Sequence, residues 1–229
     1  MTSETPRSRR ERPAKPALTR AGIVSASIGV LRDEGLAKVT MRRIAQELDT
    51  GPASLYVYVR NTAELHAAIL DELLGTIETA PAGGSWRARI EQVLGSYTRM
   101  LLEYPSLARS AVSARPSGVN YLNLCERLLA LLDAGGVPPA QAAWGVDVLL
   151  QLATATAAEH ATQHENSDSA EEWDALTRAL RGASADTHPR IAALGPQLVS
   201  GTPEQRLSWG FRSVLTGITH TPVPEGEPE

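Results

Sequence analysis

Apolar residues recur at helical spacing along nearly the whole chain. Ile23, Ala26, Ser27, Val30 and Leu31 fall at i, i+3, i+4, i+7 and i+8, one face of a helix. That pattern predicts a first helix over Ala17–Glu34, stopped by Gly35 just past its end. Thr40 is a good N-cap for a short second helix, Met41–Leu48. Asp49-Thr50-Gly51 reads as a tight turn, and Pro52 suits the first turn of a third helix reaching Val59. Asn61-Thr62-Ala63-Glu64 resembles a capping box, with Asn in place of Ser or Thr, and opens a fourth helix to about Ile77.

Ala80-Pro81-Ala82-Gly83-Gly84 breaks the periodicity and marks a boundary. Beyond it the pattern stays helical. Ser85 can cap a helix over Trp86–Tyr104, and a short helix follows to about Ser113. Another spans Gly118–Leu132, and Pro138-Pro139 opens a long one to Gln163. Ser169-Ala170-Glu171-Glu172 reads as a capping box for a helix to Arg181. Thr202-Pro203-Glu204-Gln205 reads as another, leading to Thr219. No stretch alternates with the period of a strand. The pattern predicts an all-α chain: a three-helix unit over residues 18–62, then a larger helical domain over 63–220. Residues 1–17 carry Arg7, Arg9, Arg10, Arg12, Lys15 and three prolines, which predicts a disordered basic arm. That arm is either a solvated tail or a segment that lies along DNA and reaches into the minor groove. Residues 221–229 read as a tail.

The short helix, turn and second short helix at 40–59 form a helix-turn-helix. Ile44, Ala45 and Leu48 face inward from its first helix, and Leu55 and Val59 from its second. The outward face of the second is Pro52, Ala53, Ser54, Val57 and Tyr58. These residues are small or hydrogen-bonding, and none is acidic, a face that a major groove accepts. Charge sharpens the picture. The net charge is −4, but residues 1–62 hold eleven Lys/Arg against six Asp/Glu, whereas the remainder is acidic. A basic first quarter suits a polyanion, and an acidic body serves some other purpose.

Composition removes other classes. Apolar residues make up 42% of the chain, an ordinary globular share, yet it has one Phe, so Leu, Ala, Ile and Val must build the core. The single cysteine, Cys125, can form no disulfide within the chain. No uncharged run reaches the roughly 18–20 residues that span a bilayer. The Arg-rich start has no apolar stretch after it, so a cytoplasmic protein with no membrane partner is expected. His160 and His164 sit at i, i+4, a spacing that can bind Zn²⁺, but no third ligand is evident. No nucleophile–base pair, phosphate loop or paired carboxylates point to an enzyme, and no cofactor or metal is expected.

The stretch Gly22–Leu65 resembles the TetR family of bacterial regulators. The Gly35 break, the Thr40 cap, Ile44-Ala45, Leu48, Ser54-Leu55-Tyr56, Val59-Arg60-Asn61 and Glu64-Leu65 carry the resemblance. Asp49 stands where the turn usually has Gly, and Thr62 where a Lys often meets phosphate. The resemblance implies that Thr40 and Arg42 touch the DNA backbone, with Arg42 also in reach of a base. Pro52, Ala53 and Ser54 would meet base edges, and Tyr56, Tyr58 and Arg60 phosphates. Arg43 is a DNA candidate or a solvated residue, and the Tyr56 ring could equally pack against the core.

It further implies a homodimer on a palindromic operator. The dimer would form through the last two long helices, Pro139–Gln163 and Pro203–Thr219. It also implies a small-molecule effector among helices four to eight. Candidate lining residues are His66, Tyr97, Met100, Leu101, Tyr104, Tyr121, Cys125, Trp144, Asp147 and Gln151, for each of which core packing is the alternative role. The expected function is a repressor released from DNA by its effector, with an activator or ligand-independent architectural regulator as the other reading.

Overall fold

The structure, a computed structural model, describes residues 17–79, 83–112 and 116–224. All regular structure in these residues is helical. Residues 1–16 of the expected arm, 80–82 of the expected break and 225–229 of the expected tail lie outside them.

The three-helix unit forms where the caps dictate. α1 spans Arg20–Glu34, beginning later than the apolar pattern suggests because the Thr19 side chain accepts from Gly22 N–H at 3.0 Å and sets the start. It ends at Gly35, whose φ of 82° lets its N–H return to the Leu31 carbonyl. After a single 3-10 turn at Leu36–Lys38, Thr40 caps α2 (Met41–Glu47). α3 covers only Pro52–Leu55, shorter than the expected run to Val59. Beyond it the Val and Tyr residues, poor helix formers, turn more tightly, with Tyr58 and Val59 N–H both bonding Leu55 O. Leu55 and Val59 still point into the core.

α4 (Thr62–Leu74) starts at Asn61, whose side chain accepts from Glu64 N–H at 2.8 Å. The return bond of the expected capping box is displaced by one residue, because the Glu64 carboxylate takes the Arg60 N–H instead. α4 packs on α1 at one end and on α7 at the other.

The larger domain is built from α5 (Trp86–Glu103), α6 (Pro105–Ala111), α7 (Val119–Ala134), α8 (Pro139–Glu165) and α11 (Pro203–His220). α5 lies at the centre, against α6, α7, α8 and α11. α8 and α11 run antiparallel, and Gly145 lets them close: a Cβ there would lie 2.9 Å from the Ile218 side chain. One continuous core runs from Ile23 in α1 to Leu215 in α11, so the two units share their hydrophobic interior.

The remaining helices, α9 (Ser169–Arg181) and α10 (Pro189–Leu198), pack mainly on each other. α9 differs from its expectation: Asp168, not a Ser169 box, precedes it, with no side-chain cap bond. α10 has no clear signal in the sequence, since Gly195 and Pro196 interrupt it. Gly195 is required there, because a Cβ would lie 2.6 Å from the Leu180 carbonyl of α9.

Candidate DNA interface and effector pocket

The reading face forms as the spacing predicts. Pro52, Ala53, Ser54, Tyr56, Val57, Tyr58 and Arg60 are exposed, while Leu55 and Val59 between them are buried. Thr40 and Arg42 are exposed beside them at the start of α2. The Thr40 hydroxyl oxygen is used as the helix cap, accepting from Arg43 N–H at 3.2 Å, which leaves its proton free to donate. The Tyr56 ring is about half exposed, so it is not simply a core residue. Arg60 extends into solvent while its Nε holds Glu64 at 3.0 Å.

Arg43 sits differently. Its guanidinium grips Glu34 of α1 at 2.5 Å and Glu47 of its own helix at 2.8 Å. The Glu34 carboxyl is held below its ordinary range, first by the Arg43 hydrogen bond, and the Arg43 pKa is raised by both partners. Arg43 therefore ties α2 to α1 and points its charge at carboxylates. Asp49 takes a left-handed turn (φ 48°), a conformation that Asp tolerates better than most side chains, which explains how it replaces a glycine.

The effector candidates divide. Tyr97, Tyr121, Asp147 and Gln151 line one cavity of about 390 Å³, joined by Leu150, Thr154 and Ala155 of α8, Ala111 and Val112 at the end of α6, and Pro116. This volume lies in the range of small-molecule sites. Thr154 donates to Leu150 O at 2.8 Å, so Tyr97 OH must donate to Thr154 across 2.7 Å. The Tyr97 oxygen keeps its lone pairs for a ligand. Asp147 adds a carboxylate, held by the Gln151 amide. Burial raises the Tyr97 pKa and pushes that of Tyr121 up to about 12, with Cys125 assisting, so both phenols stay protonated. Cys125 itself stands half-buried beside Tyr121, its thiol also pushed up by burial.

The other candidates lie elsewhere. His66 reaches toward the helix-turn-helix, its Nε2–H donating to Val39 O at 3.2 Å. The Tyr104 hydroxyl accepts from Arg32 Nε of α1 at 3.1 Å. Leu101 and Met100 are packed in the core. Trp144 faces outward from α8, 59% exposed, because it falls on the stripe of α8 that no other helix covers. Among the described residues no three metal-ligating side chains cluster, and the His164 side chain lies outside them.

A residue with no sequence signal links these two regions. Asp71 of α4 caps α7 from outside, its carboxylate accepting from Tyr121 N–H at 3.0 Å. Asn120 Nδ2 donates back to the Asp71 carbonyl at 2.9 Å. Gly118 makes room, since a Cβ there would lie 2.1 Å from the carboxylate. α4 thus grips the DNA-reading unit through His66 and the pocket wall through Asp71. Nothing in the local pattern of α4 marks Asp71, because its partners lie about fifty residues away.

Comparison with known proteins places the chain. Residues 23–69 match the model of bacterial regulatory proteins of the tetR family, and residues 79–221 match that of the tetracyclin repressor-like C-terminal domain. The chain belongs to the TetR family and is a DNA-binding transcriptional regulator. A Streptomyces protein described as a transcription regulator, SCO7704, has a similar crystal structure. It is 56% identical, with a TM-score of 0.76, over 93% of this chain and all of that one. ActR of Streptomyces coelicolor in complex with actinorhodin is 33% identical with a TM-score of 0.79, over 89% of this chain and 96% of that one. The HTH-type transcriptional repressor DrrR1 of Streptomyces coeruleorubidus is 28% identical over 92% of this chain and 80% of its own.

Proposed function

We propose that the chain is a homodimeric repressor that holds a palindromic operator in the cytoplasm and is released by a small molecule in the Tyr97–Asp147 cavity. The observation that carries this reading is Asp71, which fastens the cavity wall to the helix that also holds the reading unit. An effector that displaces Tyr121 moves the N-terminus of α7. α4 follows through Asp71, and the reading unit follows α4 through His66. In a dimer this changes the separation of two recognition helices, which must match half-sites a turn of DNA apart. A ligand acts only through its unequal affinity for the two arrangements.

The DNA contacts proposed are Thr40, Arg42, Pro52, Ala53, Ser54, Tyr56, Tyr58 and Arg60. Arg43 is left out because its charge is satisfied within the protein. The cavity offers acceptors, Asp147 and the Tyr97 oxygen, between aromatic and aliphatic walls. It suits a flat apolar compound carrying hydroxyl or amino donors. The actinorhodin held by ActR supports a ligand-responsive reading, and the name of DrrR1 supports a repressor. Self-association through α8 and α11 is supported by Trp144, Val148 and Trp209, large apolar side chains exposed at 59%, 46% and 67%.

The test is binding of the full chain to fragments of its own promoter region, followed by anisotropy. Candidate ligands come from a thermal-shift screen, since a ligand that prefers the folded state raises its melting temperature. Release by a ligand whose effect is lost in Asp147→Asn supports the proposal. Binding indifferent to every stabilising ligand favours a ligand-independent regulator.

A further inference from the structure

A second and larger hollow lies on the opposite side of α5, between that helix and α11. Its volume is about 760 Å³, and it shares no lining residue with the Tyr97–Asp147 cavity. Leu207 and Phe211 of α11 and Leu102 of α5 supply apolar walls. Among the described residues that line it, Glu78, Glu91 and Glu204 stand against Arg99, and His160 of α8 lies close enough to Glu204 to help lower its pKa. Ser208 Oγ donates to Glu91 at 2.9 Å, and the Glu204 carboxyl is held below its ordinary range, first by a hydrogen bond with the Thr202 side chain.

Gly95 is a separate sign of a cradle. It sits in the middle of α5 and lines the hollow, where a Cβ would meet nothing within 4 Å. Glycine weakens a helix interior relative to almost any other residue, and no packing constraint requires it here. Its effect is to keep the floor open. The hollow also stays clear of the proposed dimer face. Trp209 is exposed on a side of α11 roughly opposite Phe211 and about 100° round from Ser208, so a second copy seated on Trp209 would approach from a different direction than the hollow's mouth.

We propose that this hollow is a second ligand site, for a hydrophobic organic cation. An apolar body would lie over Gly95 against Phe211 and Leu207. Its positive centre would sit among Glu78, Glu91 and Glu204, of which Glu91 is half-buried and the other two are exposed at the rim, so their summed charge rather than burial provides the attraction. A hydrophobic anion of the same shape would meet net negative charge and be rejected. The site touches Glu78, just beyond α4, whose N–H bonds Ser96 of α5 at 3.0 Å, so occupancy bears on the same helix that grips the reading unit.

The pair tetraphenylphosphonium and tetraphenylborate, equal in shape and opposite in charge, tests this by calorimetry on the full chain. The cation is expected to bind once per chain and the anion not at all. Gly95→Met fills the floor with a better helix former, so it should raise the melting temperature while weakening the cation by about tenfold or more. The double variant Glu91→Gln/Glu204→Gln should weaken it similarly, and Asp147→Asn in the other cavity should leave it within about twofold. Absence of binding, equal binding of the two ions, or binding that survives Gly95→Met and is lost in Asp147→Asn overturns the proposal.

Discussion

Two adjacent arginines at the start of α2 have opposite fates. Arg42 is exposed beside the reading face, and Arg43 is clasped by Glu34 and Glu47. Only a cation that neutralises a phosphate releases counterions. Arg42→Gln should therefore reduce the salt slope of operator binding by about one unit, and Arg43→Gln should leave it unchanged. Equal slopes for the two variants would contradict the division. Arg43→Gln should instead weaken the acid sensitivity of the fold. The Glu34 pKa is depressed in the folded state, so its contribution is present above the ordinary carboxylate value of 4.5 and is lost as pH falls through the depressed one. Melting temperatures between pH 6 and pH 3 should thus fall less steeply in the variant. Asp71→Ala removes a tertiary helix cap and should cost about 1–2 kcal/mol in a denaturant titration. Asp71→Asn, which keeps an acceptor, should recover much of that loss.

Elements that carry their own start and stop signals were legible in the sequence. Thr40, Ser85 and Thr202 each cap the helix that follows, and Thr202 with Gln205 closes a full box, whereas the apolar pattern of α1 masks the Thr19 cap that starts it. The reading face was legible too, because Leu55 and Val59 share one side of a helical turn whatever lies around it. The pocket was only half legible. Tyr97, Tyr121, Asp147 and Gln151 come together through the packing of α5, α7 and α8, which no local pattern specifies. His66 and Tyr104 have the same amphipathic character, yet each is claimed by a hydrogen bond across the two units. α10 was missed because Gly195 and Pro196 argue against a helix, and only the close contact with α9 explains the glycine. The α4–α7 junction gives the sharpest element-level prediction. Gly118→Ala should evict the Asp71 carboxylate, so Gly118→Ala and Asp71→Ala should be strongly non-additive in stability. Each should also blunt ligand-induced release from DNA while leaving ligand affinity less affected, as read by anisotropy with and without effector.

At the scale of the molecule, the exposed tryptophans of α8 and α11 set the expected assembly. Trp209→Asp places a charge where a second copy would bury an indole, and sedimentation should find monomers that bind operator far more weakly. A dimer that persists would move the interface away from α11. The continuous core from Ile23 to Leu215 bears on how such a molecule can be altered. The helix-turn-helix unit and the larger helical domain look separable along the chain, yet α4 contributes buried side chains to both and holds a hydrogen bond into each. A chimera that joins this reading unit to another sensor at residue 62 would sever α4 from the surface it was shaped to fit. Grafts that carry α4 together with its α7 contacts should keep the switch. Modularity in this protein therefore has its natural seam after α4, at the break over residues 80–84 that the sequence marks, and not at residue 62.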